Sequence, residues 1–243
     1  MLLTLGHHIG LATLAGVVAG VAVGGLLGRV VMRVSGAMAP GMVGVRTENG
    51  NRVGDITVEG TVALILFAGL ASGVVGGVLY AGTEPWLRRF RPWRGLVFGI
   101  GLLCAIGFAT LDPSNLDFKR FGAAPVNVAM FAALFVLFGV ATSLVFDRLL
   151  AIEARAGAAG RVIETLAWLA LVPATLLVVI TIVTLSSSPD PVPILVIAGA
   201  LAAAAIARWR SFAPVVGYAA LAVPLLMGAA RLAAGLPMLL SGY

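Results

Sequence analysis

Two arginines and a polar loop follow the first apolar segment of the sequence, and these residues are the best suited to ligand chemistry. Arg29 and Arg33 stand one helical turn apart at the end of that segment. The planar guanidinium group of arginine binds a phosphate or a carboxylate through two parallel hydrogen bonds. We therefore expect any functional site to lie near these arginines and to receive an anionic group, such as a lipid phosphate or a carboxylate.

The loop after the two arginines has the turn chemistry of a small β-hairpin. Asn49-Gly50 lies between two β-branched stretches, and this pattern is the strongest short-range hairpin signal. The sequence predicts a hairpin over residues 43–58, placed over the outer ends of the first two spans. Its polar side chains either form a binding site with Arg29 and Arg33 or only fix the loop in place. The candidates are Glu48, Asn49, Asn51, Arg52 and Asp55.

A second polar loop, at residues 111–122, offers acidic residues on the same side of the membrane. Its Asp-Pro-Ser-Asn sequence fits a type I turn, which favours aspartate at the first position and proline at the second. The candidates in this loop are Asp112, Asn115 and Asp117. Two acids beside a turn are compatible with metal-assisted hydrolysis, but an ordinary turn also uses aspartate.

Patterns typical of catalysis or of metal binding do not occur in the sequence. His7 and His8 are the only histidines, and because they are adjacent they cannot supply paired haem ligands from two helices. We expect them to be interfacial residues without a ligand role. There is no phosphate-binding Gly-Lys-Ser/Thr loop and no nucleophile elbow, and Cys104 is the only cysteine. The sequence thus predicts no catalytic residue, no metal and no cofactor.

The elements that must position these groups are membrane-spanning helices. Of the 243 residues 60% are apolar and only 11% are charged, whereas a soluble domain has about 25% charged residues. The predicted fold is all-α, one polytopic bundle of about seven helices with the hairpin between helices 1 and 2. Six spans and a re-entrant C-terminal segment are the alternative, because Pro224 and Arg231 interrupt the last segment. The predicted spans are 9–34, 61–82, 95–111, 126–146, 162–185, 192–207 and 215–235.

Basic residues are distributed unequally between the loops. The loops after spans two, four and six hold nine arginines, and the loops after spans one, three and five hold four basic residues. The positive-inside rule then places the N-terminus in the cytoplasm and the C-terminus outside. The abundance of arginine, alanine, glycine and valine is typical of a GC-rich bacterial genome. We therefore expect a multi-pass protein of the bacterial cytoplasmic membrane.

The cytoplasmic loop at residues 83–94 combines arginines with aromatic residues. Tryptophan favours the headgroup level of a bilayer, and each basic residue near anionic lipid contributes about 1 kcal/mol of binding free energy. The loop predicts contact with anionic lipid, or a docking site for a cytoplasmic partner. It does not predict nucleic-acid binding, because no basic cluster lies on a soluble domain. The expected contact residues are Arg88, Arg89, Arg91, Arg94, Trp86 and Trp93.

Glycines recur every fourth residue in the early spans, which is the spacing of a glycine zipper. On a helix this spacing lines the glycines up and creates a groove for another backbone. We expect spans one to three to pack together, and such faces can also bind a membrane protein partner or a second copy. A glycine-lined substrate path is the alternative. The glycines are Gly16, Gly20, Gly24 and Gly28, then Gly69, Gly73 and Gly77, then Gly95 and Gly99.

Three classes of function fit this pattern. The first is a non-enzymatic accessory or assembly subunit of a membrane complex. The second is a small carrier or channel for an anionic or amphipathic solute, with Arg29, Arg33 and Arg231 near its path. The third is a lipid-modifying enzyme that uses Asp112, Asp117 or Glu48. No intramembrane acid is evident in spans two, three, five or six, which counts against a proton-coupled transporter.

Overall fold

The computed structural model of the chain describes residues 2–42, 44–45, 57–113, 123–155, 157–186, 192–208 and 214–241. These ranges are helical almost throughout, and they contain no strand. The hairpin that the sequence predicts over residues 43–58 lies almost entirely outside them.

The described ranges contain a series of α-helices, two of which are extended by π-helical turns. The π-helix Gly20–Leu27 joins α1 to α2, and we call these three elements the first rod. The π-helix Ile65–Ala71 joins α3 to α4, and we call these three elements the second rod. Short 3-10 turns occupy Pro40–Met42, Arg88–Trp93 and Gly107–Ala109. The α-helices are α1 (Leu2–Ala19), α2 (Gly28–Ala37), α3 (Val58–Leu64), α4 (Ser72–Leu87), α5 (Arg94–Ile106), α6 (Ala124–Glu153), α7 (Ala158–Ser186), α8 (Val192–Arg208) and α9 (Pro214–Leu240).

Five helical stretches of the described residues are long and apolar enough to cross a membrane, and the predicted count of seven is not supported. Predicted spans two and three fall in one helical stretch that bends at Arg91, where φ is 40° and ψ is −110°. The predicted sixth span, α8, has only 17 residues, at the lower limit for crossing the hydrocarbon core. The five stretches are Leu3–Ala37, Val58–Ala109, Ala124–Glu153, Ala158–Leu176 and Val216–Leu240.

The helix α1 lies at the centre of the bundle. It packs against α4, α6 and α7, and its residues Leu11, Ala12 and Ala15 are fully buried. The helix α5 packs on the other side of α6 and also contacts α9, whereas α8 lies between α4 and α9. The first rod therefore supplies the core on which α4, α6 and α7 are arranged.

The two rods meet through their glycines. A Cβ atom on Gly73 would lie 2.6 Å from the carbonyl oxygen of Gly16, and one on Gly77 would lie 2.6 Å from that of Ala12. Real Cβ atoms do not approach other atoms so closely, so the backbones themselves are in contact at these positions. The two π-helical segments also face each other across this contact.

The glycines of the third predicted span have a different partner. Gly95 and Gly99 on α5 face Gly139 on α6, where an added Cβ would lie 2.5 Å from the carbonyl oxygen of Gly95. The prediction that spans one to three form a single glycine-lined core is therefore wrong for the third. The physical reason is that the small residues of α5 face α6 and not the two rods. Gly139 is the glycine of α6 at this contact.

Candidate functional site

The two arginines that the sequence singled out lie in α2. Arg29 is half-buried and Arg33 is exposed. Close to them in sequence, the buried Ser35 hydroxyl donates a 2.7 Å hydrogen bond to Oδ1 of Asn127, which is 2% exposed. This bond ties α2 to the first turn of α6. Sequence reasoning missed it, because Asn127 stands just after Pro125 and looked like part of an ordinary helix start.

Only one of the other predicted ligand residues at this end is described, and that residue is Asp112. Whether the two polar loops bring the remainder to Arg29 and Arg33 stays a prediction. The residues outside the described ranges are Glu48, Asn49, Asn51, Arg52, Asp55, Asn115 and Asp117.

Asp112 lines a cavity of about 380 Å³ together with Arg231 of α9. The guanidinium carbon of Arg231 lies 5.4 Å from the centroid of the Phe108 ring. The described lining does not include Arg29 or Arg33, so the structure groups Asp112 with a different arginine. The rest of the lining is Ala109, Leu111, Pro113 and Gly235.

The cavity lies between α9 and the segment directly after α5, residues 108–113, and we call it the cavity between α5 and α9. Leu111 is 2% exposed and Leu239 is 3% exposed, and the two belong to one apolar cluster. Pro113 lies against Gly235, where an added Cβ would be 3.1 Å from its ring. The result is a guanidinium group, a carboxylate and an aromatic ring around a volume in the range that small ligands occupy.

Two of the predicted lipid-contact arginines are paired with acidic side chains. Arg94 Nε donates to Ser143 Oγ at 2.9 Å, and its guanidinium pairs with Asp147, so this side chain joins α5 to α6. Arg88 Nε lies 2.7 Å from Oε1 of Glu84, but 66% of the Arg88 side chain is exposed. We call the end of the bundle that holds Arg88–Trp93 the arginine-rich end.

Of the tryptophans and the other arginines at this end, some contact neighbouring helices and others are exposed. Trp86 donates from Nε1 to the carbonyl oxygen of Ala203 at 3.2 Å, and its ring packs edge-on against Tyr218 at 4.8 Å. Arg89 lies 4.7 Å above the Tyr218 ring and donates to its hydroxyl at 2.5 Å. Arg91 and Trp93 are exposed. Trp86 and Arg94 thus hold helices together, and contact with lipid stays a prediction for the group.

Glu84 lies inside a helix and is buried, whereas the sequence interpretation placed it in a loop. The sequence pattern assigned it to the basic loop at 83–94, but α4 continues to Leu87 with Pro85 inside it, and Glu84 is only 2% exposed. Its Oε2 atom accepts no hydrogen bond from the described residues and lies 3.7 Å from Nε2 of His8 on α1. An acidic group buried inside a membrane helix is costly, which is why it commonly marks function.

Aromatic rings surround this part of the bundle. Tyr80, one turn before Glu84, is fully buried and packs edge-on against Phe98 at 5.0 Å and Phe146 at 5.4 Å. The His8 ring contacts the same Phe146 at 5.3 Å. The sequence signal that sequence reasoning overlooked is the four-residue spacing of Tyr80, Glu84 and Arg88, which puts all three on one helix face.

Both histidines lie beside acidic groups. His7 Nε2 is 2.7 Å from Oε1 of Glu153, and its ring lies 5.8 Å from that of Trp168. His8 faces Glu84 across 3.7 Å. In the part of the chain that the structure describes, no three His, Cys, Asp or Glu side chains come together to hold a metal ion.

This architecture, with several long apolar helices packed around a central one, is that of a multi-pass helical membrane protein. Comparisons of the chain with protein-family models, with characterised proteins and with solved structures found no match.

Proposed function

We propose that the protein binds a small amphipathic solute with an anionic group in the cavity between α5 and α9, and that it acts as a carrier or channel for this solute. The observation that carries the proposal is the placement of Arg231, Asp112 and Phe108 around one cavity of about 380 Å³. A guanidinium group binds a carboxylate, sulfonate or phosphate through paired hydrogen bonds. The aromatic and aliphatic lining accepts the hydrocarbon part of the solute.

Asp112 restricts the charge of the solute. A carboxylate next to the binding arginine repels a second negative charge and attracts a cationic group. The cavity is therefore expected to prefer a solute with one anionic group, or a zwitterion, over a polyanion. Single-chain amphipaths with one anionic group and zwitterionic lipid headgroups both meet this requirement.

Flux of octanesulfonate into proteoliposomes tests the proposal, because this probe stays ionised and crosses lipid slowly without a carrier. Arg231→Ala removes the charged hydrogen-bond donors and is expected to lower the flux about tenfold or more. Arg161→Ala is the matched control, since Arg161 is an exposed arginine on α7 outside the cavity. Equal flux in the two variants would contradict the proposal.

Arg29 and Arg33 are proposed to line a continuation of the solute path at the same end of the bundle. The position of both residues in α2, at the end that holds Asp112, supports this extension. The double change Arg29→Ala and Arg33→Ala is then expected to lower octanesulfonate flux while the protein still folds. Unchanged flux would confine the path to the cavity between α5 and α9.

A second candidate is an accessory or assembly subunit, and the exposed apolar face of α7 favours it. Leu169, Val172 and Leu176 recur at helical spacing and are each exposed by 60% or more. The glycine faces of the two rods are covered by each other, so a partner helix or a second copy would use this surface instead. Disulfide cross-linking of Val172→Cys in a Cys104→Ala background is expected to give a dimer if the occupant is a second copy, whereas lipid leaves the chain monomeric.

The proposal also includes the topology and the location of the chain. We place the N-terminus and the arginine-rich end in the cytoplasm, in contact with anionic lipid, and the C-terminus outside a bacterial cytoplasmic membrane. The concentration of arginines at one end supports this orientation. We further propose seven spans, or six with a re-entrant segment, a hairpin over 43–58, a glycine zipper between the rods, and no role in binding nucleic acid.

A lipid-modifying enzyme is the least supported alternative. It would use Asp112 with Asp117 or Glu48, of which the structure describes only Asp112. Lipid-modifying activity that persists after Asp112→Asn and Asp117→Asn would exclude these two aspartates as its catalytic groups.

A further inference from the structure

Only one of the two oxygen atoms of the Glu84 carboxylate accepts a hydrogen bond from the described residues. Its Oε1 atom lies 2.7 Å from Nε of Arg88, one turn along the same helix. Its Oε2 atom is buried and accepts no hydrogen bond from the described residues. A buried acceptor without a donor costs free energy, so Oε2 is a position where an added proton donor would stabilise the fold.

The group that faces this oxygen is the imidazole of His8. Its Nε2 atom is 3.7 Å from Oε2, slightly longer than a hydrogen bond, and 19% of the His8 side chain is exposed. A neutral imidazole with its proton on Nδ1 presents only a lone pair to Oε2. A protonated imidazole presents an N–H group, and a movement of less than about 1 Å would bring it to hydrogen-bond distance.

We propose that His8 and Glu84 form a proton-binding site that joins α1 to α4. The proton comes from water and adds to Nε2 of His8, and the resulting N–H donates a hydrogen bond to Oε2 of Glu84. The Glu84 carboxylate keeps its contact with Arg88, so the pair gains one positive charge and no other bond changes. This site is separate from the cavity between α5 and α9.

Other charged residues of the helices packed around His8 are paired with other groups or are exposed. On α1, His7 faces Glu153 of α6 instead. On α6, Asp147 is held by Arg94 of α5. The charged residues of α7 nearest to this end, Arg161 and Glu164, are exposed. The positive charges of Arg88 and Arg94 oppose protonation of His8, and the Glu84 carboxylate at 3.7 Å favours it.

Access to the proposed site is one-sided. Arg88 is largely exposed, so water at the arginine-rich end reaches the edge of the His8–Glu84 pair. Further into the bundle, Tyr80 and Thr13 are fully buried. The proposal therefore places proton exchange at the arginine-rich face, so that the site reports the pH of that face.

The pH dependence of thermal unfolding tests this proposal. A proton held between His8 and Glu84 in the folded chain alone makes stability increase as the pH falls. For the wild-type protein in mild detergent, we expect Tm to rise by about 3–10 °C between about pH 8 and about pH 5.5. His8→Gln is expected to lose at least half of that rise, since its amide cannot take up the proton.

His7→Gln is the matched control, because it removes the neighbouring histidine but leaves the Glu84 contact in place. It is expected to keep more of the rise in Tm than His8→Gln, since Glu153 is more exposed than Glu84. A rise in His8→Gln equal to that of the wild type would overturn the proposal.

A measurement on the wild-type chain covers the case in which a variant fails to fold. Diethyl pyrocarbonate reacts with neutral but not with protonated imidazole, so mass spectrometry of modification at His8 follows the protonation of this residue. We expect His8 to be protected at a higher pH in the wild type than in Glu84→Gln. The same protection profile in both proteins would overturn the role of Glu84.

Discussion

At the scale of single residues, a few polar contacts between helices fix how the bundle is assembled. Ser35 joins α2 to α6, Arg94 joins α5 to α6, and Trp86 joins α4 to α8. Each contact has one defined geometry, whereas apolar side chains can pack in several ways. These residues therefore determine register, and their loss is expected to cost more free energy than the removed atoms alone would suggest.

The Ser35–Asn127 bond provides a first test. Ser35→Ala removes the donor to a buried amide oxygen, and we expect it to lower the free energy of unfolding by about 1–3 kcal/mol. Denaturation in detergent, followed by tryptophan fluorescence, measures the change. Ser241→Ala is the control, because Ser241 is exposed at the end of α9. Equal stability of the two variants would show that the bond contributes nothing.

Arg91 provides a second test at this scale, since its backbone has a positive φ of 40°. An L-amino acid with a side chain is strained in this conformation, and glycine is not. Arg91→Gly is expected to raise the free energy of unfolding by about 1 kcal/mol, although glycine also increases the entropy of the unfolded chain. Arg91→Ala has no such gain. If alanine stabilises as much as glycine, loss of the arginine charge is the cause.

At the scale of elements, the two rods make a close contact of backbone with backbone. Their carbonyl oxygens approach the facing glycines so closely that no side chain fits. Glycine is unfavourable inside a helix by about 1 kcal/mol relative to alanine. The packing of one backbone on the other must offset this cost at each of these positions.

Gly77→Ala tests the contact between the rods. The added methyl group would lie 2.6 Å from both the Ala12 carbonyl oxygen and the Thr13 Cα atom. Forcing the helices apart is expected to cost about 1–3 kcal/mol or more, which outweighs the gain in helix propensity. Gly157→Ala is the control, because nothing lies within 4 Å of its added Cβ. A Gly77→Ala variant as stable as this control would contradict direct packing of one rod's backbone on the other.

Sequence reasoning predicted the helical class and the main apolar segments, because hydropathy is a local property. It did not predict the burial of Glu84, since Pro85 looked like the start of a short interfacial helix but lies inside α4. It also did not pair Asp112 with Arg231. These two residues are far apart in the sequence, and only the packing of the segment after α5 on α9 brings them to one cavity.

At the scale of the whole molecule, the two sites lie at different ends of one bundle. The cavity of Asp112 and Arg231 is at the end where α5 meets the last turns of α9, and the Glu84 carboxylate is at the arginine-rich end. The first rod runs between the two ends, and its most apolar stretch is 56% buried, the largest share among the five candidate spans. A solute site at one end and a proton-binding site at the other are compatible with a carrier whose packing responds to pH.

The orientation of the molecule can be measured by labelling single cysteines in intact cells on a Cys104→Ala background. The proposed topology predicts that Arg155→Cys is protected from an impermeant maleimide and that Met42→Cys is labelled. Both positions are exposed in the structure, so access to reagent depends only on the side of the membrane. The reverse labelling pattern would invert the topology.

The most direct test of the solute site is the affinity of two probes of opposite charge for the protein in nanodiscs. Arg231→Ala is expected to lower the affinity for octanesulfonate about tenfold and to raise that for octyltrimethylammonium. Asp112→Asn is expected to do the reverse, because each variant removes one of the two charges at the cavity. Affinities that stay within about twofold of the wild type in both variants would contradict a solute site at this cavity.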